Sequence, residues 1–233
     1  MKGYAPPLTK SRMLLAALSL AAVLVATLAS CVGVPAKTTE KGPRFTLALK
    51  PGASYKTETI WFLFKLPIYP QVAVWVETPE GRYLDTLYVT AKGERENWIG
   101  APKEGRPEAL PVWRHARSSR VDGVSAATSP GPTLRAFDLA ARLPAGDYIV
   151  KLETNRSYDY NDIFTSANSG VSGQPSLIYT AAIAIGGART EARFEPMGTG
   201  SVDGSKGDVR AGLDGITTAL DLFSSMTIAY ETD

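Results

Sequence analysis

Beyond Pro43 the chain is written in short apolar stretches with a repeat of two, separated by turn residues, and this pattern predicts strands. Arg44 to Leu49 and Thr57 to Phe64 are rich in β-branched and aromatic residues, with Pro51-Gly52 as the turn between them. Gln71 to Glu77 reads as a strand, Pro79-Glu80-Gly81 as a tight turn and Arg82 to Val89 as the next strand. In that strand Tyr83 and Asp85 alternate with Leu84 and Thr86, so one face is covered and the other wet. Residues 91 to 120 carry much of the mid-chain charge, and Pro102, Pro107 and Pro111 break any long element. This stretch is an excursion across one end of the domain, pinned by Trp98 and Trp113; the alternative has both indoles lining a ligand groove.

Strands resume at Leu134 to Leu139 and Leu143 to Glu153, the second approached through Pro144-Ala145-Gly146-Asp147-Tyr148, where Gly permits a bend and Tyr covers the sheet end. Ser157 to Gly173 reads as a polar loop, and Ser176 to Ile185 with Thr190 to Glu195 as a hairpin around Gly186-Gly187. Gly198 to Gly215 is Gly-rich and irregular, Ile216 to Phe223 predicts a two-turn helix, and Met226 to Tyr230 a last strand. Many short strands and no long amphipathic helix predict an all-β fold. By analogy it is an immunoglobulin-like antiparallel β-sandwich with long loops and at most one short helix near the C-terminus.

The first residues follow a different pattern. Lys2, Lys10 and Arg12 precede an uncharged run from Met13 to Leu28, the n-region and h-region of a secretory signal, shorter than the roughly 20 residues a spanning helix needs. Leu28-Ala29-Ser30-Cys31 resembles the lipobox of bacterial lipoproteins. That resemblance implies cleavage before Cys31, a diacylglycerol thioether on its thiol, and a membrane as partner through the lipid anchor. Val32 rather than Asp follows, which by the same analogy favours the periplasmic face of the outer membrane in a Gram-negative host. The expected organisation is a lipoprotein signal over 1–30, a polar Pro-containing tether over 31–43 and a single β-sandwich domain over 44–233.

Composition narrows the chemistry. Cys31 is the only cysteine, so the folded part is expected to have neither a disulfide nor a thiolate metal site. The formal charge of +2 rests on Lys2, Lys10 and Arg12; without them the chain is slightly acidic, and nucleic-acid binding loses its electrostatic motive. His115 is the only histidine, it stands among Arg114, Arg117 and Arg120, and no Gly-x-Ser-x-Gly elbow accompanies it. Asp203 to Asp208 and Tyr158 to Asp162 offer oxygen ligands without the spacing of a calcium loop and read as solvated turns. The expectation is no catalytic residue and no metal: a protein that is not an enzyme.

One run does suggest chemistry: Asp122-Gly123-Val124-Ser125-Ala126-Ala127-Thr128-Ser129-Pro130-Gly131. Asp122, Ser125, Ala127 and Thr128 resemble the Asp-x-x-Ser/Thr-Gly-Ala-Thr signature of envelope proteins in which a flavin transferase esterifies the last Thr with the phosphate of FMN. Ala126 departs from it, adding a Cβ where Gly is usual. The plain alternative is a turn in which Asp122 or Ser125 caps its own backbone. A longer resemblance runs from about residue 70 to residue 186: Val72 to Glu77, Gly81 through Leu87, Trp98, Leu110 to Trp113, Asp122 to Thr128 and Pro144 to Tyr148 look like an uncharacterised family of predicted periplasmic bacterial proteins. That resemblance implies genes near flavin transferase and membrane redox genes, and no established activity. The function expected is an envelope lipoprotein that binds a partner or serves a membrane redox system. The alternative is a redox carrier with FMN on Thr128, its ring sheltered by Trp98 and Trp113.

Overall fold

A computed structural model describes residues 42–61, 63–95, 105–117, 124–126 and 129–232, all within one compact unit, Glu40–Asp233. Cys31, Trp98, Asp122 and Thr128 lie outside the described residues. The strands are β1 (Arg44–Pro51), β2 (Thr57–Trp61), β3 (Phe64–Ile68), β4 (Gln71–Glu77), β5 (Tyr83–Thr90), β6 (Val124–Ala126) and β7 (Thr133–Phe137). They continue with β8 (Gly146–Asn155), β9 (Leu177–Ile185), β10 (Thr190–Arg193), β11 (Glu195–Thr199), β12 (Arg210–Ala211) and β13 (Phe223–Glu231). One sheet has the order β10-β13-β1-β7 and the other β12-β11-β9-β8-β4-β5-β6; β2 and β3 pair only with each other. The fold is an all-β sandwich, antiparallel apart from β6, which runs parallel to β5. A parallel neighbour needs a long crossover, and residues 91–123 supply it.

Period-two alternation places Val72, Val74 and Val76 of β4 in the core between the sheets, with Phe45, Leu47, Leu152, Ile228 and Tyr230. Each such side chain contributes about 1.5–3 kcal/mol by leaving water. The intervening Ala73 and Trp75 face the other way, yet they too are buried, against Leu110, Val112 and Trp113 of the excursion. Residues 105–117 of the excursion therefore form a third layer over the outer face of the larger sheet. This corrects the wet face expected for β5, whose residues from Thr86 to Thr90 are all buried. Trp113 is 1% exposed, so packing, and not a groove wall, is its place.

Short helical turns are more numerous than the single C-terminal one expected: α1 (Ala91–Arg95), α2 (Pro111–Ala116), α3 (Leu139–Arg142) and α4 (Ser166–Ser169). Each is too short to leave a helical repeat in the sequence, and two are started locally, α2 by Pro111 in its first turn and α4 by a Thr165/Asn168 capping box. The expected two-turn helix at 216–223 is one 3-10 turn, η1 (Thr218–Asp221), because Phe223 is drawn into β13 opposite Pro51.

Two pairings differ from expectation. Thr190–Arg193 does not fold back on β9; it crosses to the smaller sheet and pairs with β13, while Glu195–Thr199 pairs with β9. The expected strand Thr57 to Phe64 is two strands, reversing after Trp61 with Trp61 opposite Phe64. Nothing in Phe62-Leu63 is a turn residue, so the reversal has no sequence signal. The bend before β8 is as read: Gly146 sits at φ 154, and the Tyr148 hydroxyl donates to the Pro144 carbonyl at 2.8 Å.

Candidate functional site

The motif's described part is β6, where Val124, Ser125 and Ala126 pair with Tyr88, Val89 and Thr90 at the edge of the larger sheet. The far end of β5 is held in turn: Thr90 Oγ1 donates to Gln71 Oε1 at 2.7 Å, Val72 N donates to Thr90 Oγ1 at 3.3 Å, and Thr154 Oγ1 donates to the Gln71 carbonyl at 3.0 Å. On the other side of Thr128, the Tyr55 hydroxyl donates to the Ser129 carbonyl at 2.5 Å, and Gly131 N donates to Ser129 Oγ at 3.2 Å. The two described neighbours of the motif's last residues are thus fixed, one by a sheet edge and one by a tyrosine 74 positions away. Ser125 takes its place through the backbone ladder; Asp122 and Thr128 fall outside the described residues.

Aromatic rings gather beside Ser129. Tyr55 lies 5.8 Å from Tyr69 and 5.4 Å, edge-on, from Phe223. Burial, with the neighbouring phenols of Tyr88 and Tyr69, pushes the Tyr55 hydroxyl up to about 12, so it stays a donor at any physiological pH. No sequence signal connects Tyr55 with the motif; the link exists only because Tyr55 leads into the β2–β3 ribbon where that ribbon meets the sandwich.

Sequence reading also missed the polar pairs beneath the third layer. Glu153 is completely buried on β8: its Oε2 accepts Trp113 N at 2.7 Å, and its Oε1 accepts Val112 N at 3.2 Å and Ser176 Oγ at 2.6 Å. Burial pushes its carboxyl up to about 7 although these three donors pull the other way. Alongside, Trp75 Nε1 donates to Glu77 Oε1 at 2.7 Å, Lys151 Nζ meets Glu77 Oε2 at 2.8 Å, and Trp113 Nε1 donates to Thr86 Oγ1 at 2.8 Å. With its bonds satisfied, Glu153 serves as the anchor of α2. The alternation Lys151-Leu152-Glu153 was the signal available, and it points to solvent until a distant segment covers it.

His115 is exposed on α2, its Nδ1 2.8 Å from the Pro111 carbonyl. It lines an open depression of about 510 Å³ with Pro107, Arg114, Asp203, Gly204 and Ser205. Asp203 is exposed as expected, and its carboxyl lies below the usual range because Ser205 N, Ser205 Oγ and Ser201 Oγ donate to it. The second acidic turn departs from expectation: Asp159 is 2% exposed and ion-paired with Arg156, and its Oδ1 accepts Thr218 Oγ1 at 2.6 Å. The cause is that η1 folds over the turn. Among the described residues no group of three or more His, Cys, Asp or Glu side chains is placed to hold a metal, and no helix is long and apolar enough to cross a membrane.

No curated protein and no solved structure matches this chain. Residues 68–167, from the end of β3 to the first residues of α4 and somewhat under half of the chain, match the model of a family described as "Predicted periplasmic protein (DUF2271)", which supports a place in the periplasm or cell envelope.

Proposed function

We propose that this protein is a non-enzymatic accessory lipoprotein of the cell envelope, anchored through Cys31 and serving a membrane redox system through the loop that follows β6. The observation that carries this reading is the fixing of that loop at both described ends, by the β5–β6 pairing before it and by the Tyr55–Ser129 bond after it. Ordering loop ends costs conformational entropy, of order 1–2 kcal/mol per residue, and holding the two ends of a short small-residue segment in place for a partner is a use that repays it. The periplasmic description of the similar family supports the compartment.

A second reading is favoured by Tyr55, bonded to Ser129, with the rings of Tyr69 and Phe223 packed on it. Here a flavin transferase moves FMN from a flavin adenine dinucleotide to the Thr128 hydroxyl, the phosphoester to Thr128 replacing the pyrophosphate bond and AMP leaving, and the partly buried edges of Tyr69 and Phe223, rather than Trp113, are the aromatic neighbours. Asp122 and Ser125 then belong to the sequence that the transferase reads. The intact mass of the protein co-expressed with a flavin transferase decides between the readings. A gain of one FMN that disappears in Thr128→Val supports the carrier; an unmodified wild type leaves the accessory reading alone.

A further inference from the structure

The β2–β3 ribbon stands apart from both sheets and exposes its apolar residues. Ile60 is 74% exposed, Leu63 88% and Phe64 68%, where a sandwich of this size has ample core to take them. The chain from Ile60 to Phe64 reads Ile-Trp-Phe-Leu-Phe without a polar residue, and the ribbon reverses within it. Behind the tip stand Lys65, opposite Ile60, and Lys56, with Glu58 between them at 4.0 and 3.1 Å. Two lysines against one glutamate leave the ribbon cationic.

We propose that the ribbon tip inserts into the interfacial zone of a lipid bilayer, seating Ile60, Leu63 and Phe64 among acyl chains and Lys56 and Lys65 at anionic headgroups. An apolar-aromatic end with Lys65 level with Ile60, its side chain long enough to reach outward, and Lys56 at the ribbon's root is a composition that settles at membrane interfaces. Ile60, Leu63 and Phe64 stand exposed at one end of a two-stranded ribbon, an arrangement that suits a bilayer, which needs no shaped groove. Proximity rests on the lipid-anchor reading: Val32–Pro43, all that separates Cys31 from β1, lets the two lie at most about 45 Å apart at roughly 3.5 Å per residue. One acyl attachment leaves a domain free to swing, and a second contact fixes its orientation.

The test uses the full chain bound to vesicles of phosphatidylethanolamine and phosphatidylglycerol. An environment-sensitive fluorophore is placed at Leu63→Cys or, as control, at the exposed Lys206→Cys; Cys31 is blocked when it carries a thioether and is the only other cysteine. The expected result is a blue-shifted emission at position 63, largely lost when the phospholipid carries a quencher on its acyl chains, and unchanged emission at position 206. Protein that floats with the vesicles while the position 63 probe stays in water overturns the insertion and leaves the anchor standing. Insertion at position 63 in a Cys31→Ala background, where the chain with Cys31 intact takes up no fatty-acid analogue, upholds the ribbon and overturns the anchor reading. Emission shielded from water yet untouched by the lipid-borne quencher means that protein covers the tip, and it overturns the proposal.

Discussion

Tyr55 and Ser129, 74 positions apart, are joined by a 2.5 Å hydrogen bond from phenol to carbonyl, and that bond ties the root of the β2–β3 ribbon to the residue that follows Thr128. Tyr55→Phe keeps the ring packing on Tyr69 and Phe223 and removes only the donor. Stability is expected to fall by about 1 kcal/mol. Amide exchange in 124–131 should rise before that of the central strands. Equal protection of that segment in wild type and variant would show that the bond does not hold the loop.

Glu153 makes a second prediction, because it alone satisfies Val112 N, Trp113 N and Ser176 Oγ. Glu153→Ala orphans all three, and at about 1–3 kcal/mol for each unsatisfied buried group the loss is at least about 3 kcal/mol, read from denaturant midpoints. Glu153→Gln keeps an acceptor and costs less.

The same carboxyl sets a pH dependence. Its folded pKa of about 7 lies above the ordinary value of 4.5, so the folded state holds the proton more tightly than the unfolded chain. The contribution to stability is complete below about pH 4.5 and is lost as pH rises to about 7, by roughly 3 kcal/mol for this fully buried group. Unfolding free energies at pH 5 and pH 8 measure it; a slope that persists in Glu153→Gln would assign the effect to other groups.

Arg156 and Asp159, 8% and 3% exposed at their side chains, form a buried pair under η1. Arg156→Met leaves the Asp159 carboxylate without its cation, and breaking such a pair by removing one partner costs about 3–5 kcal/mol. Thermal unfolding checks this. A change within error would mean that the turn opens to water without penalty.

Lipidation at Cys31 predicts that the protein expressed with its leader takes up a fatty-acid analogue and that Cys31→Ala does not. Labelling that persists in the variant would place the acyl group elsewhere.

By itself the sequence determined most of the strands and several local turns, because those depend on neighbours in the chain, although Val124–Ala126, read as part of a turn, is strand β6. Gln71–Glu77 is a strand with the bounds its pattern predicts, Gly81 takes φ 86 in the turn between β4 and β5, and Tyr148 closes the start of β8. The sequence also singled out Asp122, Ser125 and Thr128 as a motif. Tertiary structure alone decided what each strand meets. A period of two says which residues share a face, not whether that face stays wet, so Glu153 looks solvated until residues 105–117 cover it. It says nothing about which sheet Thr190–Arg193 joins. Nor does it show that the apolar stretch around Leu63 turns back on itself in solvent, since no side chain there marks the reversal.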